Sequence, residues 1–434
     1  MSKLAKILFS LLMTLLVFAM LQQNFKIIKT KKLHGAIKKL EQPELNLDNW
    51  FSEKYQKGTE KYISQHFGFA NWFIKIENQI QFTLFNKAKA NGVIIGKEDY
   101  LYEKSYIDAY YGEDFLGEQR IRELYTKLSK VNDTLKKLDK SLMIIFAPGK
   151  ASFFAEYIPD KLKQQKKETN LEYCVSMADS LGIDYIDMSS WFIKMKDTAS
   201  YPLYPKTGIH WSYYGVKLAA DTILSYCRNK LSLKLPEVKW SPIELSSDLK
   251  GPDNDIEKGM NLIFPLSNHP MPYLKIKPGP QAKNTAKSIV VADSYYWQFY
   301  NMGFSKKVFR GGQFWFYNKQ VFPKRNKQDT WTKDLNLRKE IMDNDIIILF
   351  TTEPVLKREY WGFADQVYDS FFNTSDEYKE REQILEIIES IKSNHSWLEK
   401  IKNKAIKRNI SLDSMLILDA KYVLYKKLIK SKVK

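Results

Sequence analysis

The chain has 434 residues, enough for one large or two ordinary domains, and is 44% hydrophobic and 14% aromatic, which excludes wholesale disorder. Its 68 lysines and arginines outnumber 50 acidic residues, for a formal charge of +18. The lysines are spread evenly, and no RNP-like, zinc-finger or helix-turn-helix pattern gathers them, which argues against a nucleic-acid partner. Only Cys174 and Cys227 are present, which excludes a disulfide framework and a cysteine-rich zinc site.

Met1-Ser-Lys-Leu-Ala-Lys6 is basic, and Ile7 to Leu21 is apolar apart from Ser10 and Thr14. That length suits a signal-peptide h-region or a short membrane anchor, and because no small-x-small pattern follows, an uncleaved anchor over residues 1–24 is the favoured expectation. Lys26, Lys29, Lys31 and Lys32 make the far flank as positive as the near one, so charge alone leaves the orientation open. Residues 25–90 read as a juxtamembrane stalk followed by amphipathic helices. Trp50, Phe51, Tyr55, Tyr62, Ile63, Phe67, Trp72, Phe73, Ile76 and Ile80 recur at three- and four-residue steps, interrupted at Gly68. That aromatic stripe is expected to be core.

Residues 91–355 carry the pattern of a single α/β domain. A short hairpin is expected around Lys97-Glu-Asp99, then a helix over 118–138. Leu142 to Ala147 and Ile183 to Asp187 read as strands flanking a helix over 170–181, and a further helix spans 214–231. Residues 235–284 are rich in Pro and Gly and read as an insertion or lid. Strands are expected at 288–292, 308–309 and 345–350, and residues 356–434 form a helical extension packing on the same domain. Continuous apolar strands separated by amphipathic helices predict a parallel sheet covered on both faces. The site of such a sheet lies beyond the carboxyl ends of its strands. Polar residues stand at three of those ends: Pro148-Gly-Lys150, Asp293-Ser294 and Thr351-Thr-Glu353.

Two segments carry candidate chemistry. Gly208-Ile-His-Trp-Ser212 supplies His210, and Val290-Val-Ala-Asp-Ser-Tyr295 supplies Ser294 at a strand-to-helix elbow, so a base and a hydroxyl nucleophile are present. A third group should orient His210. Asp187, Asp293 and Glu353 are the candidates at strand ends, and a Ser–His dyad is the alternative. Lys150 and Arg310 could stabilise negative charge. There is no Walker-type loop and no His-Glu-x-x-His, so nucleotide and zinc-protease chemistry are not expected, nor is any metal or cofactor.

These motifs, together with Ile95-Gly-Lys-Glu-Asp-Tyr-Leu-Tyr-Glu103 and Ala147-Pro-Gly-Lys150, occur in the order found in the SGNH-hydrolase-like proteins of the alginate O-acetyltransferase group, which the chain resembles. The resemblance covers roughly Gly92 to Glu353. It implies a three-layer α/β/α SGNH-like domain, membrane-associated and extracytoplasmic (periplasmic). It further implies acetyl transfer to a polysaccharide acceptor, with a multipass membrane O-acyltransferase as the donor partner. Ser294 is then the nucleophile and acetyl carrier and His210 the general base, while the third member stays open among the strand-end carboxylates, with Asp293 counted with the catalytic residues. Lys150 and Arg310 are expected substrate or oxyanion contacts. The group's usual Asp-x-His-Trp is Gly208-Ile-His-Trp here, so the orienting aspartate is missing from its usual place. A carbohydrate esterase and a non-catalytic glycan-binding or assembly subunit are the alternative readings.

Overall fold

The computed structural model describes residues 3–35, 40–325, 328–373 and 375–432. The start of the expected anchor (1–2), part of the stalk (36–39), and residues 374 and 433–434 of the C-terminal extension lie outside the described residues. The central element is a seven-stranded sheet. Its strands are β1 (Ser141–Ala147), β2 (Asp184–Asp187), β3 (Ser288–Ala292), β4 (Gln313–Phe316), β5 (Gln320–Arg325), β6 (Gln328–Trp331) and β7 (Ile346–Thr352). They lie in the order β6-β5-β4-β3-β7-β1-β2. The run β4-β3-β7-β1-β2 is parallel, and β5 and β6 add antiparallel edge strands. β7 sits between β3 and β1, with Phe350 opposite both Ala292 and Ile145.

The alternation of side chains along the inner strands builds the three layers. Met143, Ile145, Val290, Ala292, Ile348 and Phe350 face one apolar cluster, completed by helix Tyr213–Asn229 through Val216, Ala220 and Ile223. Leu142, Ile144, Ile289, Val291, Ile347 and Leu349 face the other, completed by helix Glu118–Lys137 through Ile121, Leu124, Leu128 and Val131. Helix Asn170–Ser180 packs on that second side and opens with a capping box from Thr169 and Glu172.

Four expectations are revised. The strand expected at 308–309 is the end of a short helix, Phe304–Val308, and the chain pairs only from Gln313, after the Gly311 turn. The sheet is not wholly parallel, because β4 turns back through Tyr317 and Asn318, both with positive φ, into β5. The C-terminal helices Asp376–Ser393, His395–Arg408 and Leu412–Lys432 have an apolar cluster of their own; only the segment through helix Phe363–Phe372 joins the domain core. Finally, the aromatic stripe over 50–80 is not core. In helices Leu47–Phe51, Lys54–His66 and Ala70–Phe85, Trp50, Phe51, Ile63, Trp72, Phe73, Ile76 and Ile80 are exposed.

Helix Lys3–Phe25 is long and apolar enough to cross a membrane. Residues 235–284 form two antiparallel ribbons, Val238–Trp240 with Ile276–Pro278 and Glu244–Ser246 with Met271–Tyr273, and a short helix, Asp255–Met260.

Candidate active site

The ends of β3, β7 and β1 lie side by side, and two buried carboxylates lace them together. Asp293 Oδ2 accepts from the Thr352 N–H and hydroxyl, each at 2.7 Å, joining β3 to β7. Its Oδ1 accepts from the Tyr295 N–H at 2.9 Å and shapes the elbow around Ser294. Glu353 accepts from the Gly149 N–H at 3.0 Å and from the hydroxyls of Ser152 and Ser189, joining β7 to the loop after β1. Burial raises both carboxyls above their ordinary values, and these hydrogen bonds oppose the rise. Asp187 caps helix Met188–Met195 through the Ser190 N–H. All three carboxylates expected near His210 are therefore engaged in other contacts.

The motif around His210 divides its work residue by residue. Trp211 is fully buried against Phe192, Tyr295, Phe299 and Phe350. Ser212 caps helix Tyr213–Asn229 by accepting from the Gly215 N–H at 3.0 Å, while its hydroxyl donates to the Pro202 carbonyl. His210 lies between these anchors and the elbow, its ring 4.7 Å from that of Tyr295, whose hydroxyl donates to the Ile209 carbonyl at 2.6 Å. The result is an aligned array. His210 Nε2 is 3.0 Å from Ser294 Oγ, and His210 Nδ1 is 2.6 Å from Asp255 Oδ2.

Asp255 is the residue that reading the chain missed. It stands 45 positions after His210, in the insertion and not at a strand end. Its Oδ1 accepts from the N–H groups of Ile209, at 2.9 Å, and Ile256, at 2.8 Å, so the carboxylate is fixed on both sides of the imidazole bond. Gly208 explains how it gets there. A Cβ at 208 would lie 2.3 Å from the Pro252 carbonyl oxygen and 2.7 Å from that of Asp253. Only glycine lets the backbone leading into Asp255 pass this closely. Gly208, standing where an Asp-x-His pattern would carry aspartate, thus leaves open the path by which Asp255 arrives.

Lys150 is brought to the site, but not to its surface. It is fully buried, and its Nζ donates to the carbonyls of Lys206, at 2.8 Å, and Gly208, at 2.5 Å. Burial pushes its ammonium down to about 7, with the Asp255 charge opposing. It therefore holds the loop that leads to His210, and the expected substrate or oxyanion contact is corrected to a buried brace. Arg310 is not brought to the site at all. Its N–H donates to Ala286 and its Nε to Thr285, both before β3, so it sits at the opposite rim of the parallel sheet from Ser294.

Other titratable groups border the array. Tyr317, held at positive φ in the β4–β5 turn, lies beside Ser294, which opposes the rise that burial imposes on its phenol. Asp253 accepts from the Tyr273 hydroxyl at 2.6 Å, and burial pushes its carboxyl up to about 7. Among the described residues no group of His, Cys, Asp and Glu is arranged to hold a metal ion. Chemically, the array can deprotonate a serine hydroxyl and return the proton to a leaving group, with the imidazolium held by a carboxylate.

Residues 93–244 match the model of a family described as the SGNH hydrolase-like domain of acetyltransferase AlgX. The matched stretch contains Lys150 and His210 and ends before Asp255 and Ser294. Over it, the resemblance to the alginate O-acetyltransferase group is borne out. Among solved structures, the chain is similar to the O-acetyltransferase domain of Pseudomonas putida AlgJ, with 15% identity, 64% of this chain and 99% of that one covered, and a TM-score of 0.43. It is also similar to Pseudomonas aeruginosa AlgX, with 14% identity over 64% of this chain and 67% of that one, TM-score 0.41. For Bacillus cereus PatB1 the identity is 10%, over 61% and 96% of the two chains, with a TM-score of 0.39. No curated protein matches the sequence.

Proposed function

We propose that this protein is an O-acetyltransferase that acylates hydroxyls of an extracytoplasmic polysaccharide through an acetyl ester on Ser294. The observation that carries the reading is the continuous array Ser294 Oγ–His210 Nε2, His210 Nδ1–Asp255 Oδ2, standing at the carboxyl ends of a parallel sheet. In the first half-reaction His210 Nε2 takes the Ser294 proton as Oγ attacks the donor carbonyl. Collapse of the tetrahedral intermediate breaks the bond to the donor oxygen, which leaves with that proton. In the second, Nε2 takes the proton of an acceptor hydroxyl, whose oxygen attacks the acetyl-serine carbonyl. Ser294 then leaves and recovers the proton.

Asp255 fixes the tautomer by accepting from Nδ1–H and stabilises the imidazolium in both halves. Tyr317, beside Ser294, is the phenol proposed to donate to the oxyanion that develops on the attacked carbonyl. The helix Lys3–Phe25 is the proposed single-pass anchor, which places the domain beside a membrane donor partner supplying acetyl groups.

The test offers an acetyl donor and an oligosaccharide to the wild type and to Ser294→Ala. Transfer to sugar that is lost in Ser294→Ala is the expected result. Transfer undiminished in Ser294→Ala removes the mechanism, and acetate release without transfer makes the protein an esterase.

A further inference from the structure

Helix Ala70–Phe85 leaves most of its large apolar side chains exposed, unlike an amphipathic helix bathed in water. Apart from Phe82, which packs against the domain core, its inward contacts are polar. Asn78 is buried and donates from Nδ2 to the Met260 carbonyl at 2.8 Å, and Gln79 Oε1 accepts from the N–H groups of Ile263 and Phe264, each at 3.1 Å. Asn71 Nδ2 donates to the Lys31 carbonyl at 3.3 Å. Outward stand Trp72, Phe73, Ile76, Ile80 and Leu84, all exposed, the last by 70%. At 100° per residue these five fall within an arc of about 120°, the width of the stripe that an amphipathic helix normally buries, and Ile74 and Phe85 are exposed outside it.

The neighbouring helix identifies what covers this face. Gly68 packs on helix Lys3–Phe25 so closely that a Cβ there would lie 2.0 Å from the Ala19 carbonyl oxygen. Next to it, the ring of Phe69 lies 5.4 Å from that of Phe18. Ala19 precedes the helix end by about 9 Å at 1.5 Å per residue, so the contact falls within the apolar part of a helix able to span a bilayer. Lys26, Lys29, Lys31 and Lys32 follow, and cationic side chains next to such a span suit anionic headgroups.

We propose that the outward face of helix Ala70–Phe85 is a membrane-interface surface, seated in lipid at the acyl–headgroup boundary beside the C-terminal end of helix Lys3–Phe25. Tryptophan and phenylalanine on one face and polar groups on the other suit that boundary. The inward face grips Met260, the last residue of the helix that begins with Asp255, and Ile263 and Phe264 just after it. Seating the helix in lipid therefore sets the active-site insertion at the membrane surface. This contact stands whether or not Ser294 carries an acetyl group.

The test reconstitutes the full chain in vesicles of phosphatidylcholine and phosphatidylglycerol with no other protein. An environment-sensitive fluorophore is placed at Phe73→Cys, Ile80→Cys or Leu84→Cys, with Lys137→Cys as a solvent-facing control; Cys174 and Cys227 are buried. The three labels should shift to the blue and be quenched by nitroxide-bearing lipid several-fold more than the control. Quenching by aqueous iodide equal to that of Lys137→Cys, with helix Lys3–Phe25 inserted, overturns the proposal. Protection seen only in native membranes, and not in protein-free vesicles, also overturns it and assigns the face to a membrane-protein partner.

Discussion

At the scale of single residues, Gly208 and Asp255 act as a pair. Replacing Asp255 by asparagine keeps the shape but lets the amide hold the wrong imidazole tautomer, so Ser294 acylation should fall about 10³- to 10⁴-fold with the fold intact. Rapid-quench acylation with circular dichroism as control checks this. Gly208→Asp should not rescue Asp255→Asn, because any Cβ at 208 meets the Pro252 carbonyl at 2.3 Å. Gly208→Ala alone should cost about 1–3 kcal/mol by displacing that segment, readable as a lower Tm. Lys150 supplies a pH signature. Its folded value of about 7 lies below the ordinary 10.5, so between these the folded chain binds fewer protons than the unfolded one. The stability tied to this group therefore rises as pH goes from about 7 towards 10.5. Lys150→Met should lack that rise when Tm is followed across the same range.

At the scale of elements, the ends of β3, β7 and β1 are held in register by Asp293 and Glu353, and the carboxylate that meets His210, Asp255, comes from elsewhere. Asp293→Asn should lower stability by about 1–3 kcal/mol, since a carboxylate accepting from Thr352 and Tyr295 is replaced by a group with one fewer acceptor. It should leave acylation far closer to wild type than Asp255→Asn does, and measuring both variants together separates clamp from triad.

The contrast shows what the chain makes legible. His210 and Ser294 could be read because each belongs to a local pattern: an elbow after an apolar strand, and a Trp-Ser sequence that plugs the core and caps a helix. Apolar runs of strand length likewise marked β1, β2, β3 and β7. Asp255 could not be read, because its link to His210 spans an aperiodic insertion and depends on backbone packing against Gly208. The glycine was the available signal, since an unexplained Gly beside a catalytic residue marks close backbone approach. The stripe over 50–80 departs from expectation for a different reason. Periodicity reports that a helix has an apolar face, not whether protein or lipid covers it.

At the scale of the whole molecule, three units differ in what holds them. The three-layer domain has two extensive apolar clusters, one on each face of the sheet. The C-terminal helices from Asp376 have a separate cluster and reach the domain partly through the exposed pair Lys339–Glu389, 2.7 Å apart, worth at most about 1 kcal/mol. A chain ended before Asp376 should therefore keep its rate of Ser294 acylation, as followed by chromophore release. The N-terminal helices complete the molecule on the side of the insertion that bears Asp255. The central claim, that Ser294, His210 and Asp255 form one acyl-transfer unit, is tested most directly by trapping the intermediate. Brief exposure to p-nitrophenyl acetate, acid quench and peptide mass spectrometry should find one acetyl group on the peptide bearing Ser294 in the wild type. It should be absent in Ser294→Ala and strongly reduced in both His210→Ala and Asp255→Asn. Acetylation of Ser294 that proceeds at the wild-type rate in Asp255→Asn would contradict the account.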